Sequence, residues 1–304
     1  MGLPSGLIPS QRRVTEAVHA EGAAIIAQVN HFGLNGSSDA VDDLRVLGGS
    51  SAVTSPANGE LPKVMEREDI AEIVDSWGRT AENMREAGFD GVEVHMGHSY
   101  LLHQFLSPIW NKRSDECGGS FENRLRLARE VVAAVRRRVG LDYVVGIRVA
   151  LSDYMDGGLQ VEEVARAAAV LEDSGPIDFV NVTAGGYHNL YWAPAPSDIP
   201  DGWLIDMVST VKSAVAAVPV FAVGGIKDAG SAEGIIASGK ADMVAMTRAQ
   251  IADPEFATKA MQGREDEIYH CIRCNQACIG RLFKVTPAGC TINPWLDARA
   301  SSGR

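Results

Sequence analysis

Residues 88–127 read GFDGVEVHMGHSYLLHQFLSPIWNKRSDECGGSFENRLRL, and the fold is decided near their start. The run GVEVHM (91–96) is short and rich in β-branched side chains. It suits a parallel strand covered on both faces rather than a buried helix. His95 lies at its end, with His98 and Tyr100 just beyond. Five similar runs follow or precede it: AIIAQV (24–29), VVGIRV (144–149), DFVNVT (178–183), PVFAV (219–223) and ADMVAM (241–246). Amphipathic segments separate them. In EDIAEIVDSWGRTAENMREAG, the residues Ile70, Ile73, Val74, Trp77, Ala81 and Met84 share one helical face, and Gly88 supplies the stop. NRLRLAREVVAAVRRRVG repeats the pattern with Leu127, Val131, Val132 and Val135. Repeated β–α units predict an α/β protein with a parallel sheet.

Such a sheet is either open and doubly wound or closed into a barrel. No G-x-G-x-x-G fingerprint and no P-loop follows any of the runs, which lowers the open-sheet reading. Polar residues and glycines instead gather past the strand ends: Gln28 and His31, His95 and His98, Arg148, Thr183 to Gly186, Gly224-Gly225, and Arg248. Barrel active sites lie there, and glycines after the penultimate strand suit a phosphate. The expected fold is therefore a (β/α)8 TIM barrel. Only six strands can be counted, and the turn-rich MGLPSGLIPS with one helix, QRRVTEAVHAEG, precedes the first. The barrel is expected to lack its first two strands, as from a truncated start, and to be followed by a short cysteine-rich segment. The division falls at 1–264 and 265–304.

A net charge of −11 argues against a nucleic-acid partner, which needs a clustered basic surface. The one dense basic run, Arg136-Arg137-Arg138, ends a helical pattern, where it complements the helix dipole as a solvated terminus. No apolar stretch is long enough to span a bilayer and no leader stands at Met1, so the expected location is cytoplasmic, away from a membrane. Four of the five cysteines crowd into HCIRCNQACIGRLFKVTPAGCTINP: Cys271, Cys274, Cys278 and Cys290. Scarcity of cysteine elsewhere weakens a disulfide framework. The spacing C-x2-C-x3-C-x11-C leaves zinc and an iron–sulfur centre open, because thiolates suit both. The absence of a second C-x2-C knuckle leans toward a cluster.

Residues 95–124 carry a longer signature: His-x-x-His-x-Tyr, then Leu-Leu-x-Gln-Phe-Leu-Ser-Pro, then Asn-Lys-Arg-Ser-Asp-x-x-Gly-Gly-Ser-x-Glu-Asn-Arg. Together they resemble the Old Yellow Enzyme superfamily of NADH:flavin oxidoreductases. With the downstream cysteines, the chain is most similar to the iron–sulfur branch that includes 2,4-dienoyl-CoA reductase and trimethylamine dehydrogenase, from about Gln28 to Pro294. The resemblance implies a barrel holding FMN at its C-terminal mouth. Gln28 would then bond the flavin's pyrimidine edge and Arg148 would stabilise charge near N1 and O2. Gly224 and Gly225 would admit the phosphate, with Arg248 supplying charge. Relatives often carry arginine where this chain has Gly225. The same resemblance makes Tyr100 the proton donor to an alkene that takes hydride from the flavin. His95 and His98 would bond the substrate carbonyl, and His188 would assist protonation. Tyr187, Tyr191 and Trp192 would either stack on substrate or pack their loop.

The resemblance also implies a [4Fe–4S] cluster on Cys271, Cys274, Cys278 and Cys290. FAD and NAD(P)H would sit on further domains or on an electron-transfer partner, because this chain stops ten residues after Pro294. The expected reaction is reduction of an α,β-unsaturated carbonyl compound, enoyl- or dienoyl-CoA-like. The alternatives are an amine dehydrogenase or demethylase, against which Leu282 counts because a cationic amine favours an aromatic cage there, and a zinc-stabilised barrel fragment without catalysis.

Overall fold

A computed structural model describes residues 5–39, 44–175, 177–282, 284 and 286–296. The first four residues of the turn-rich start and the tail 297–304 lie outside the described residues. All six expected strands form: β1 (Ile26–Val29), β2 (Gly91–Met96), β3 (Val144–Ala150), β4 (Phe179–Thr183), β5 (Val220–Ala222) and β6 (Met243–Val244). They pair in parallel and in chain order from β1 to β6. A sequential parallel order has no point where the winding reverses, so the architecture is that of a barrel wall and not of a doubly wound sheet. Among the described residues β1 and β6 each have one neighbour and the wall stays open between them. A two-residue pair, Gly48–Gly49 with Lys63–Val64, was not legible in the sequence.

Register explains which side chains face where. Val94, Ile147, Val180 and Val220 lie abreast across four strands, all fully buried. They form the outer face, covered by helices that include α1 (Ile8–Ala20), α2 (Arg67–Glu86), α3 (Leu101–Leu106), α4 (Phe121–Val139), α5 (Val161–Ser174) and α6 (Ile205–Ala214). The predicted apolar faces of α2 and α4 are the buried ones, with Val74 only half-buried. Gly88 and Gly140, at φ of +90° and +78°, end these two helices in the conformation that only glycine adopts cheaply. One reading of the basic run needs correction. Arg136 is buried, and it donates to the Gly140 and Tyr143 carbonyls and to Asp178, while only Arg137 and Arg138 are exposed.

The inner face carries the alternate residues: Gln28 beside Glu93, and His95, Arg148, Asn181 and Phe221 in one row. Phe179 and Phe221 stack at 4.8 Å and nearly parallel, and Gly146 makes room for them. A Cβ at residue 146 would meet the Phe179 ring at 2.1 Å. Gly146→Ala is therefore expected to break the stack and cost about 1–3 kcal/mol of stability. A urea midpoint unchanged from the parent would show that the ring moves freely.

Candidate functional site

Just past the C-terminal ends of β2 to β6 lies a cavity of about 340 Å³. His98, Tyr100, Arg148, Thr183, Gly186 and Tyr187 line one side, and Gly224, Gly225, Arg248, Cys271 and Arg273 the other. Among the described residues its lining carries four cations, Arg148, Lys227, Arg248 and Arg273, and no carboxylate. In a chain of net charge −11 that is a local inversion of sign, and it makes the cavity a seat for an anion.

The backbone bends hard to present the catalytic candidates. His98 and Ser99 hold φ of +56° and +60°, unfavourable for residues with a Cβ. The Ser99 carbonyl accepts from Asn35 Nδ2 and Gln104 Nε2, which pins this turn. Gly186 lies against it, where a Cβ would come within 2.1 Å of Ser99 Oγ. Tyr100 then opens α3 as its N-cap. Its hydroxyl lies 3.2 Å from that of Tyr187, and Phe32, His95 and Tyr187 meet its ring edge-on. Burial, and then the Tyr187 contact, push the Tyr100 phenol well above its ordinary pKa, so it keeps its proton at any physiological pH.

His95 and His98 form a chain with Thr183: Nε2 of His95 lies 3.1 Å from Nδ1 of His98, whose Nε2 lies 2.6 Å from Thr183 Oγ1. Burial, followed by the Arg148 cation and His103, holds His98 down to about 3. His95 is also held well below its ordinary value, by burial first and then by His98 and Arg148. Both rings are neutral at neutral pH. A histidine depressed on folding contributes full stability above its unfolded pKa of about 6.5. Each then costs about 1.4 kcal/mol per pH unit as pH falls from there toward the folded pKa. The urea midpoint is therefore expected to fall steadily between pH 6.5 and 4, with a shallower slope in His98→Gln. A flat midpoint across that window in the parent would contradict the burial argument. Asp153 adds to the loss only near the acid end. Burial opposes its ionisation, but His103 and hydrogen bonds from His103, Ser107 and the Leu159 N–H prevail and hold it at about 2.

Arg148 makes no guanidinium hydrogen bond among the described residues, and its Nε is buried. Burial lowers its pKa while Glu93 opposes the shift. Glu93 is buried and accepts from Gln28 Nε2 (2.5 Å) and Asn181 Nδ2 (2.7 Å), so it underlies Arg148 as counterion. Gly224 and Gly225 hold φ of +122° and +76°, and their N–H groups make no bond among the described residues.

Four of the residues singled out in the sequence are placed as follows. Gln28 is exposed, bonds Glu93 and does not line this cavity. His188 turns away: its Nε2 bonds the Asp153 carbonyl and its ring packs on Trp110, while Tyr187 from the same loop enters the cavity. Trp192 stacks on Tyr154 at 4.5 Å and touches Trp203, so it packs the loop. Arg248 lines the cavity, but its Nη1 donates to the Pro194 carbonyl and Asn275 Oδ1, and its Nη2 to the Ala195 carbonyl. Much of its donor capacity goes to holding two loops together. The residue that sequence reading missed is Arg273, and only its place between two cysteines could have drawn attention to it.

All four cysteines of the terminal cluster line one small adjoining cavity, with Ile251, Ile272 and Ile292 around them. Cys271, Arg248 and Arg273 belong to both cavities, so the two sites share a wall. Among the described residues no three His, Cys, Asp or Glu side chains stand close enough to hold a metal ion. The donor set itself, four thiols in an apolar shell beside a guanidinium, fits a soft metal or a cluster. The unpartnered Arg148 Nε, the free di-glycine amides and the cationic lining fit an anionic flavin nucleotide.

A sequential parallel wall with its cavity at the strand C-termini is the layout of a barrel enzyme. Residues 5–267 match the NADH:flavin oxidoreductase / NADH oxidase family, and the chain belongs to it. A metal reductase of Desulforamulus reducens is 40% identical over 286 residues, covering 94% of this chain and 42% of the relative. The solved complex of 2-naphthoyl-CoA reductase with 2-naphthoyl-CoA superposes with a TM-score of 0.90 at 28% identity, over 99% of this chain and 47% of the other. Histamine dehydrogenase from Rhizobium sp. 4-9 superposes at 0.88 and 27% identity, over 97% and 42%. The chain spans less than half the length of these three relatives. No described helix is long and apolar enough to cross a membrane.

Proposed function

We propose that this chain is the flavin- and cluster-bearing part of an oxidoreductase that reduces an activated C=C bond of an α,β-unsaturated carbonyl compound, an acyl thioester of the enoyl- or dienoyl-CoA kind. The observation that carries this reading is the Tyr100 hydroxyl, protonated and opening on a cationic cavity whose far wall is made by a cysteine of the terminal cluster. FMN, when bound, supplies hydride from N5 and exchanges single electrons with a cluster. Tyr100 delivers the proton to the carbon adjacent to the carbonyl. Arg148, which makes no guanidinium hydrogen bond among the described residues, would stabilise the negative charge that develops on the flavin. The neutral His95–His98 chain fixes the turn that presents Tyr100, and His98 faces the cavity to meet a carbonyl oxygen once Thr183 yields its bond. Cys271, Cys274, Cys278 and Cys290 would hold a [4Fe–4S] cluster, with FAD and NAD(P)H on further domains or a partner protein.

Histamine dehydrogenase, as its name says, acts on an amine, and amine oxidation is the second reading. Leu282, 65% exposed on the cavity's rim, and four cations in the lining speak for an anionic substrate over a cationic one. Anaerobically reduced protein mixed with an enoyl thioester should show flavin reoxidation, and oxidised protein mixed with trimethylamine or histamine should not bleach. The reverse pattern would overturn the reading. A colourless protein carrying one zinc per chain would sink both.

A further inference from the structure

We propose that Arg273, carried between two cysteines of the terminal segment, is the cation that binds the phosphate of the flavin nucleotide. This rests on the flavin reading above and goes beyond it, because that reading places the phosphate charge on Arg248. Arg273 lies 48 residues beyond the glycine pair in sequence yet lines the same cavity. It is 95% buried, being 5% exposed, and holds φ of +51°, a left-handed conformation unfavourable for arginine. One guanidinium nitrogen, Nη2, is spoken for: it donates to the Ile199 carbonyl and pairs with Asp201 at 3.1 Å. The other, Nη1, is buried without a partner among the described residues.

That orphan nitrogen stands beside Gly225, where a Cβ would lie 2.7 Å from it. The guanidinium therefore fills the space that a side chain at position 225 would occupy, next to two free backbone N–H groups. A buried cationic donor left unsatisfied is costly, and the geometry gives it one use: an anion held jointly by Nη1 and the Gly224 and Gly225 amides. Asp201 does not neutralise the site. It is 42% exposed and is shared with Lys227, at 2.8 Å, another cation of the lining. Arg248 is the weaker candidate, because three of its protons already hold the Pro194–Ala195 loop and Asn275.

The test compares two flavins that differ only in the phosphate. Apoprotein of the full chain is titrated with FMN and with riboflavin, following flavin fluorescence. The parent is expected to bind FMN more tightly than riboflavin. Arg273→Ala should weaken FMN roughly 10–100-fold and leave riboflavin unchanged, as for loss of a charge-assisted bond. Arg273→Lys should recover part of the loss, and Arg273→Gln, which keeps a donor for the Ile199 carbonyl, serves where the alanine variant does not fold. Unchanged FMN affinity in these variants would overturn the assignment. So would equal weakening of both flavins, or loss of riboflavin binding in every variant, since the guanidinium would then be a structural element. A parent that binds neither flavin would instead refute the flavin reading itself, and one that binds both equally would show that no phosphate site exists.

Discussion

Tyr100→Phe is expected to slow reoxidation of the reduced protein by an enoyl thioester roughly 10²–10⁴-fold, the range for removal of a positioned general acid. The substitution deletes one oxygen and little packing, because Phe32, His95 and Tyr187 hold the ring by its edges and not by the hydroxyl alone. Flavin content and thermal stability should therefore stay close to the parent's. The loss should be confined to proton delivery, seen in single-turnover traces after photoreduction of the flavin. Tyr187→Phe removes the neighbouring hydroxyl at 3.2 Å, and a smaller loss is expected there, since Tyr100 keeps its own proton. A Tyr100→Phe variant that reduces the thioester at the parental rate would remove this residue from the chemistry. The proton would then have to come from water or from a histidine, and His98 is the one that lines the cavity.

On the cluster reading proposed above, Cys274→Ser is expected to have the second large effect: loss of iron and sulfide, and with them of the broad visible absorption beneath the flavin bands. All four cysteines line one cavity, so the removal of any one opens the ligand set. Electron entry from an external one-electron donor should fall at least 100-fold, in the manner of losing an obligatory relay, whereas hydride transfer from photoreduced flavin to the thioester should persist. The contrast between the two half-reactions is the informative quantity. Iron analysis showing unchanged content in Cys274→Ser would exclude this residue as a ligand. Equal loss in both half-reactions would mean that the segment shapes the flavin cavity, and Cys271, which belongs to both walls, would then be the first suspect.

Local rules carried much of the fold. Six apolar runs became six strands in chain order, because a short β-branched run bounded by polar residues has few ways to satisfy its backbone except beside another strand. The helix faces on Ile70, Trp77 and Met84, and on Leu127, Val131 and Val135, were buried as their spacing required. The neighbourhood of Tyr100, His98, Arg148 and the glycine pair was legible too, since all sit at strand C-termini, which a barrel brings to one mouth.

Contacts between loops were not legible. His188 occupies the loop that the sequence indicated, but the Asp153 carbonyl and Trp110 draw its ring away while Tyr187 takes the inward place. Arg248 sits at the mouth, yet carbonyls at 194 and 195 claim its protons. Arg136 looked like a solvated helix end, but it is buried and its bonds to two backbone carbonyls and to Asp178 make it part of the framework.

The sequence by itself determined the parallel α/β wall, the side of it that holds the chemistry, and the four-thiol segment, because each follows from periodicity and residue type along a few turns of chain. Only the tertiary structure decided which guanidinium keeps an unpartnered nitrogen at the glycine pair. Which nitrogens of a guanidinium are spent on carbonyls and which are left unpartnered depends on residues far apart in the chain, as with 225 and 273, and no local pattern encodes that separation.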